Sequence, residues 1–287
     1  SSSAASDVYK RQNFSYIILK MPKVIAVINQ KGGVGKTTTV VNLAAGLSLL
    51  SKKILIIDLD PQGNATSGLG INKEDLNLTS YDLLSGKEKI NSIIKKIEIT
   101  DNKKVYICPA TAELAGADIE LHDVENRENI LKKNIDFEEI KDFDFIIIDC
   151  PPSLSLLSIN ALSASNAILV PIQCEFYAME GLVQLNKTIN LVRERINENL
   201  DIEGFVLTMF DSRNNICKTV VNEVKNFFGD QVMKTIIPKN VKLAESPSFG
   251  KCIFNYDKYC LGSKSYMELS KEIILNNGGT YIEKISW

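Results

Sequence analysis

A glycine-rich segment with two lysines, residues 31–38 (KGGVGKTT), lies between an apolar run at residues 24–28 and a helix-like stretch at residues 39–50. This order suits phosphate binding, because glycines let backbone N–H groups converge on phosphate oxygens and the helix N-terminus adds partial positive charge. In such a loop Lys36 reaches the β and γ phosphates, and the Thr37 hydroxyl holds Mg²⁺.

The match to the general phosphate-loop motif is imperfect, because this chain has Gln30 where that motif has glycine. The segment fits the deviant pattern K-G-G-x-G-K-T completely, with Lys31 as its first lysine. A plain glycine turn between a strand and a helix is the alternative interpretation. For Lys31 the alternative is a solvated loop lysine.

Two further apolar runs, residues 54–57 and 145–148, are each followed by aspartate. Because the carboxyl ends of parallel strands meet at one edge of a sheet, these carboxylates should lie where the phosphates bind. Asp149 is predicted to hold Mg²⁺ directly or through water, with help from Asp58. Asp60, in a Pro-Gly loop, is predicted to orient the attacking water. The alternative for each is a helix cap or a turn.

Short β-branched runs alternate with longer helical stretches from residue 21 onward. Strands that are apolar at every position are covered on both faces, so the sequence predicts an α/β fold with a doubly wound, mostly parallel sheet in three α/β/α layers. The predicted strands are residues 24–28, 54–57, 105–108, 145–148, 167–171, 205–209 and 235–237.

The composition, 45% hydrophobic and 24% charged among 287 residues, is that of a globular protein with a large core. No run approaches the roughly 20 apolar residues of a membrane-spanning helix. The net charge is −2, but residues 204–287 carry 11 Lys+Arg against 8 Asp+Glu, which permits a basic face. Six scattered cysteines predict reduced thiols in the cytoplasm, and His122, the single histidine, is predicted at the surface.

Both ends of the chain are predicted to lie outside the folded unit. Residues 1–12 are interpreted as a non-native scar, because residues 7–12 (DVYKRQ) match the translation of a string that resembles a sequencing-library transposon end. Residues 13–20 are interpreted as a translated leader before a start at Met21. A single domain is predicted over residues 21–275. Residues 276–287 would then form a C-terminal tail.

Residues 31–38 resemble the signature of the ParA/MinD family of deviant Walker ATPases, which are P-loop NTPases. Further segments resemble the ParA/Soj chromosome-partitioning branch of that family, across nearly all of residues 21–275. These segments are residues 58–66 (DLDPQGNAT), 146–154 (IIIDCPPSL), 170–182 (VPIQCEFYAMEGL), 208–211 (TMFD), 237–241 (IPKNV) and 245–250 (ESPSFG).

The resemblance implies an ATP-driven switch. ATP closes a sandwich homodimer in which the first lysine, here Lys31, reaches the partner's nucleotide. The dimer binds double-stranded DNA without sequence preference and so associates with the nucleoid, until a ParB-type partner stimulates hydrolysis and release. The family's DNA-binding residues map onto Arg213, Lys239 and Lys242, and the last two are lysine where the family usually has arginine. Lysine keeps the charge that phosphate contacts need; the alternative for these two is loop solvation.

The predicted site residues fall into three groups. The predicted catalytic residues are Lys31, Lys36 and Asp60, and the predicted metal ligands are Thr37 and Asp149. The predicted ATP contacts are Lys31, Gly32, Gly33, Val34, Gly35, Lys36, Thr37, Thr38 and Asp58, with Met209, Pro238 and Asn240 near the adenine base.

Three competing interpretations remain. A MinD-like membrane-associated ATPase needs a C-terminal amphipathic basic helix, which residues 276–279 (NNGG) would break, so no membrane partner is expected. A relative of the nitrogenase iron protein needs a cysteine pair at the dimer axis, and here only Cys150 lies near the site. A nucleotide-binding scaffold without catalysis is disfavoured by Asp60.

Overall fold

The computed structural model describes residues 21–175 and 178–281. The predicted adapter and leader, residues 1–12 and 13–20, lie outside the described residues, as does the end of the predicted tail. Among the described residues, none of the helices combines the length with the apolar composition that a membrane span requires.

A single seven-stranded sheet forms the centre of the described structure. Its strands are β1 (Lys23–Val27), β2 (Ile54–Asp58), β3 (Lys95–Thr100), β4 (Lys103–Cys108), β5 (Phe145–Asp149), β6 (Ala167–Gln173) and β7 (Asp201–Thr208). The spatial order is β3-β4-β2-β5-β1-β6-β7. All neighbouring strands are parallel except β3, which runs antiparallel to β4. The predicted mostly parallel sheet is confirmed.

Helices cover both faces of this sheet. They are α1 (Lys36–Leu49), α2 (Asn64–Gly68), α3 (Ser80–Leu84), α4 (Ile90–Ile93), α5 (Leu114–Glu120), α6 (Ile130–Asn134), α7 (Phe137–Ile140), α8 (Leu156–Ala164), α9 (Ala178–Arg195), α10 (Asn215–Phe228), α11 (Val241–Glu245), α12 (Ile253–Tyr256) and α13 (Leu261–Asn276). Short 3₁₀ helices occupy Lys73–Asp75, Arg127–Asn129, Gly229–Gln231 and Ser246–Phe249.

The central strand β1 shows why the fold has three layers. Ile25 and Val27 belong to the core shared with α1, α12 and α13, whereas Ala26, and Ile28 directly after the strand, belong to the core shared with α8, α9 and α10. Successive side chains of a strand point to opposite faces, so a strand that is apolar throughout requires a helical layer on each side.

The register brings the predicted acidic residues together at one edge. Asp58 at the end of β2 is the direct partner of Asp149 at the end of β5, and Asp149 also pairs with Val27 of β1. The phosphate loop, residues 31–38, begins four residues after Val27. Three neighbouring parallel strands therefore deliver the loop and both carboxylates to the same place.

One strand prediction is wrong, and one strand was not predicted. Residues 235–237 form no strand: Ile237 exchanges backbone hydrogen bonds with Leu207 (2.8 Å) and Phe210 (3.1 Å), and isolated bridges flank the segment at Val232 and Pro238. Extra residues break the register: Met233 and Ile237 are four positions apart, but the carbonyls that accept from their N–H groups, Phe205 and Leu207, are two positions apart. The sequence also did not predict β3, an edge strand that is mostly exposed and lysine-containing and so lacks an apolar run.

Two smaller predictions are confirmed. His122 is a surface residue, with 71% of its side chain exposed. The last described helix, α13, ends at Asn276, and Gly278 follows with φ 68°, a left-handed conformation that stops a helix.

A close approach between α1 and α13 gives the first prediction. A Cβ atom at Gly46 in α1 would lie 2.2 Å from the Ser270 hydroxyl oxygen and 3.1 Å from its Cβ. Gly46→Ala is expected to lower the free energy of unfolding by about 1 kcal/mol, because overpacking outweighs the gain of about 1 kcal/mol in helix propensity. Chemical denaturation measures the change.

The matched control is Gly116→Ala in α5, where a Cβ atom would meet only an ordinary contact, 3.6 Å from a Glu120 carboxylate oxygen. This variant should be at least as stable as the natural chain. Equal gains from both substitutions would contradict tight packing of α1 on α13.

Candidate active site

Buried hydrogen bonds hold the phosphate loop at its start and at its middle. Asn29 is buried, donates from its amide to the Pro171 carbonyl (2.8 Å) and accepts from the Lys31 N–H (3.0 Å). The Thr208 hydroxyl of β7 donates to the Val34 carbonyl (2.9 Å). Because both anchors belong to strands, the loop is attached to the rigid part of the fold.

Glycine is required at two positions of the loop. Gly33 and Gly35 have φ values of 76° and 87°, which side-chain-bearing residues rarely adopt. Gly35 is also the N-cap residue of α1. Backbone N–H groups at this helix start have no intrahelical partners, so they are available to an anion.

The two lysines of the loop have different surroundings. Lys36 is 7% exposed and donates from Nζ to the Lys31 carbonyl (3.0 Å). Burial lowers the pKa of Lys36, while the negative charge of Asp149 acts in the opposite direction. Lys31 is partly exposed and forms an ion pair with Glu175. One ammonium group thus points into the site and the other lies at its rim.

The first turns of α1 are fixed against the C-terminal helices. Asn42 donates to the Thr38 carbonyl (2.8 Å) and accepts from the Ile253 N–H (2.7 Å). The Thr39 hydroxyl lies 3.1 Å from the Tyr266 hydroxyl. These buried contacts fix the start of the helix that carries Lys36 and Thr37.

Asp149 is the most unusual group of the site. It is fully buried, and neither carboxylate oxygen accepts a hydrogen bond of ordinary geometry among the described residues, although the Thr37 hydroxyl lies close enough to lower the pKa of Asp149. Burial raises the pKa of Asp149 well above its ordinary value; the charge of Asp58 raises it further, while Thr37 and Lys36 lower it. A buried carboxylate with free oxygens, beside a threonine hydroxyl, fits the oxygen ligands that Mg²⁺ prefers.

Asp58 has a different environment. Its carboxylate accepts hydrogen bonds from the Thr66 N–H (3.0 Å), the Thr66 hydroxyl (2.7 Å) and the Asp60 N–H (3.2 Å). Burial nevertheless raises the pKa of Asp58 to about 6. Both oxygens are engaged within the protein, which makes Asp58 the anchor for the start of α2; the predicted contact of Asp58 with ATP stays a prediction.

Asp60 lies in the turn between β2 and α2. It is 7% exposed, and its Oδ1 accepts from the Gln62 N–H (2.9 Å). The Gly63 N–H donates to the Asp60 carbonyl (2.8 Å), which closes the turn. The negative charges of Asp60 and Asp149 both act to raise the pKa of Lys36, so the three charged groups lie close together.

An apolar cavity of about 320 Å³ adjoins the start of α1 and contains all three residues predicted near adenine, Met209, Pro238 and Asn240. Met209 has φ 52°, and its Cε would lie 3.9 Å from a Cβ at Gly35. The lining residues that were not predicted for this cavity are Thr208, Ile237, Lys239, Val241, Leu243, Ala244 and Tyr266; of these, Lys239 was predicted to contact DNA. Segments 208–211 and 237–241, which resemble the ParA/Soj branch, could have indicated most of these residues. No motif in the sequence indicated Tyr266 in α13.

The predicted basic residues lie on two neighbouring segments. The Lys239 N–H donates to the Phe210 carbonyl (2.9 Å), which joins the turn after β7 to the start of α11. Arg213 forms a forked pair with Asp211, at 2.9 and 2.7 Å, which holds the pKa of Asp211 below its ordinary value. Lys242 pairs with Glu245 (3.0 Å). Two of the three cations therefore have acidic partners in the same chain.

Known proteins are similar to this chain in sequence and in fold. A family model described as an AAA domain matches residues 22–202. The sporulation initiation inhibitor protein Soj of Bacillus subtilis is 51% identical over 257 residues, covering 89% of this chain and 100% of that protein. The chromosome-partitioning ATPase Soj of Treponema pallidum is 47% identical, covering 90% and 99%. The chain belongs to the ParA/Soj family.

A solved structure of the family's fold carries a nucleotide. Cobyrinic acid a,c-diamide synthase from Mycobacterium smegmatis, with bound ADP and magnesium, matches with a TM-score of 0.75 and 33% identity, covering 88% of this chain and 93% of that one. The matched family region of our chain, residues 22–202, contains the phosphate loop and the three aspartates. The apolar cavity and the basic residues are built largely from residues beyond it.

The contrast between the two buried aspartates gives the second prediction. Asp149→Asn is expected to raise the free energy of unfolding of the nucleotide-free chain at pH 7 by about 1–3 kcal/mol, because it removes a buried charge without hydrogen bonds. The pKa of Asp149 is raised on folding, so its charged form costs stability as pH rises above the ordinary carboxyl range, and the advantage of Asn should shrink in acid. Denaturation at several pH values tests this.

The control is Asp58→Asn, which also removes a buried charge but loses hydrogen bonds, because an amide cannot accept all three that the natural carboxylate accepts. Its gain in stability at pH 7 should therefore be smaller than that of Asp149→Asn; an equal or larger gain would mean that the difference in partners between the two carboxylates has no energetic consequence.

Proposed function

We propose that this chain is a Mg²⁺-dependent ATPase that drives chromosome or plasmid segregation by an ATP-controlled cycle of dimerisation and DNA binding. The observation that carries the proposal is the meeting of the Lys36 ammonium, the Thr37 hydroxyl and the unpartnered Asp149 carboxylate at one phosphate loop. Membership of the ParA/Soj family supports the same activity.

The phosphates would be bound by the loop and by Lys36. The Lys36 ammonium already lies in the loop, where it donates to the Lys31 carbonyl at 3.0 Å. A β or γ phosphate oxygen is a stronger, charged acceptor than that carbonyl, so Lys36 would exchange one partner for the other without leaving the site. Its burial strengthens the charge–charge attraction, because little water screens it.

Thr37 and Asp149 would hold the metal. A bound Mg²⁺ neutralises charge that develops on the phosphates during transfer. Asp149 needs such a cation, because both of its oxygens are buried without partners. Asp58, which accepts three hydrogen bonds, would instead hold the turn that contains Asp60 next to Asp149, its partner in the neighbouring strand.

Asp60 is proposed to position the attacking water. One carboxylate oxygen is held by the Gln62 N–H at 2.9 Å, and no hydrogen bond to the other is found within the described residues. This leaves an acceptor available to a water at the mouth of the site. In the nucleotide-bound dimer Lys31, which lies at the rim, would contact the partner's nucleotide.

The apolar cavity is proposed to receive the adenine base. It lies beside Gly35 and the first turn of α1, the side of the loop away from Asp149, and its lining includes Met209 and Pro238. A flat, mostly apolar base suits such a cavity, and Asn240 offers polar atoms at its edge.

Lys239, Lys242 and Arg213 are proposed to contact double-stranded DNA without sequence preference. Contacts of this kind obtain most of their energy from counterion release, so lysine serves as well as arginine. The ATP-bound dimer would then reside on the nucleoid, and a ParB-type protein would stimulate hydrolysis and release.

The third prediction tests the cycle with two substitutions. Lys36→Ala should abolish ATP binding and with it ATP-dependent DNA retention, since it removes the buried phosphate contact. Asp60→Ala should still bind ATP, dimerise and retain DNA, but lose phosphate release by a factor of about 100 or more, because water is no longer positioned. Nucleotide titration, gel retardation and phosphate release on the same preparations separate the steps.

DNA retention by the natural chain that does not depend on ATP, or unchanged phosphate release by Asp60→Ala, would contradict this cycle. A vesicle sedimentation assay with ATP provides the membrane control: the natural chain should stay in the supernatant.

The fourth prediction concerns the basic residues, which differ in whether an acidic side chain of the same chain neutralises them. Lys239→Ala should weaken binding to all DNA sequences alike and reduce the salt-dependence slope by about 1. Arg213→Ala should have a smaller effect, because Asp211 already neutralises this guanidinium. Asp211→Asn should strengthen DNA binding, because it frees that charge. Gel retardation at several salt concentrations measures all three.

Lys95→Ala is the matched control. Lys95 is an exposed lysine on β3, at the edge of the sheet opposite β7. Its loss should leave the slope unchanged; a slope that fell equally for Lys95→Ala and Lys239→Ala would argue against a defined DNA face.

A further inference from the structure

The rim lysine of the phosphate loop is paired within its own chain. Lys31 forms an ion pair with Glu175, the second residue after β6, and the two side chains are 41% and 34% exposed. The proposed cycle requires Lys31 to contact the partner's nucleotide. Glu175 therefore competes with that contact.

Both partners of this pair are fixed through their backbones. The Lys31 N–H is bound by Asn29, and its carbonyl accepts from Lys36. On the other side, the Glu175 N–H donates to the Gln173 carbonyl (2.8 Å) and the Cys174 N–H to the Thr208 carbonyl (3.1 Å). The two charged side chains are thus presented to each other by anchored segments rather than by chance on a mobile surface.

Neighbouring residues reinforce the link between these segments. The Cys217 thiol at the start of α10 donates to the Cys174 carbonyl (3.1 Å), which holds the residue before Glu175. Gln30, the residue before Lys31, donates to the Thr188 hydroxyl of α9 (3.5 Å). The loop entrance is therefore attached to β6, α9 and α10 around the ion pair.

We propose that Glu175 is a positioning residue that holds Lys31 on its own subunit and so sets the ATP concentration at which the dimer closes. The inference rests on the proposed function, in which Lys31 binds the partner's nucleotide.

The charges determine the direction of the effect. A triphosphate carries more negative charge than one carboxylate, so it can displace Glu175 from Lys31, but the lysine must first give up its existing partner. The ion pair therefore opposes closure, and removing the charge of Glu175 favours the closed dimer.

The test is Glu175→Gln, which keeps the size of the side chain and removes its charge. Dimer formation is followed by light scattering during titration with a non-hydrolysable ATP analogue. The concentration for half-maximal dimer formation should fall about two- to fivefold, the range that a partly exposed ion pair supports. The melting temperature without nucleotide should not change measurably. Glu175→Asp, which restores the charge, should return the concentration toward the natural value.

A double variant isolates the pair. Lys31→Ala/Glu175→Gln should behave as Lys31→Ala alone, because Glu175 acts only through that lysine. Glu198→Gln is the matched control, an exposed glutamate for which no ion pair is found in the described part of the chain. It should leave the titration unchanged.

The outcomes separate the two proposals. If the natural chain dimerises and Lys36→Ala does not, but Glu175→Gln shifts nothing or needs more analogue, the role of Glu175 is overturned while the proposed function stands. An equal shift from Glu175→Gln in the Lys31→Ala background also overturns it. If the natural chain never dimerises with the analogue, the proposed function fails and this inference fails with it.

Discussion

The site depends on two carboxylates that are buried next to each other, away from water. Asp58 and Asp149 are register partners at the ends of neighbouring strands, and both are fully buried. Asp58 is compensated by three protein donors, whereas Asp149 has none and faces the buried ammonium of Lys36. The folded chain thus contains a buried negative charge that is poorly compensated, and a bound cation can compensate it. Because such a cation binds only the folded chain, binding and stability are linked.

The phosphate loop connects this buried charged site to the rest of the molecule. It is bound to β6 through Asn29, to β7 through Val34 and to α9 through Gln30. A loop attached to three elements cannot change its partners without affecting them. Occupancy of the loop can therefore be transmitted to surfaces that contain none of its residues, which is what a nucleotide-controlled assembly requires.

Much of the fold could be predicted from the sequence, because strands buried on both faces and a glycine loop between strand and helix leave strong local patterns. The edge strand β3 has no such pattern, since one side of it meets water. Residues 235–237 have strand-like composition, but extra residues between Met233 and Ile237 break the register with β7, which composition does not reveal. The partner of Lys31 and the place of Tyr266 depend on contacts between residues far apart in the chain, which local spacing does not encode.

Asn240 combines two tasks in one side chain. Its Oδ1 accepts from the Lys242 N–H at 2.9 Å and so caps α11, while the same residue lines the apolar cavity beside the phosphate loop. A small molecule that entered the cavity and recruited this oxygen would uncap the short helix that carries Lys242. Compounds fitted to the cavity would therefore disturb the adjoining basic residues as well as nucleotide binding, and resistance substitutions at Asn240 would also weaken the cap of α11.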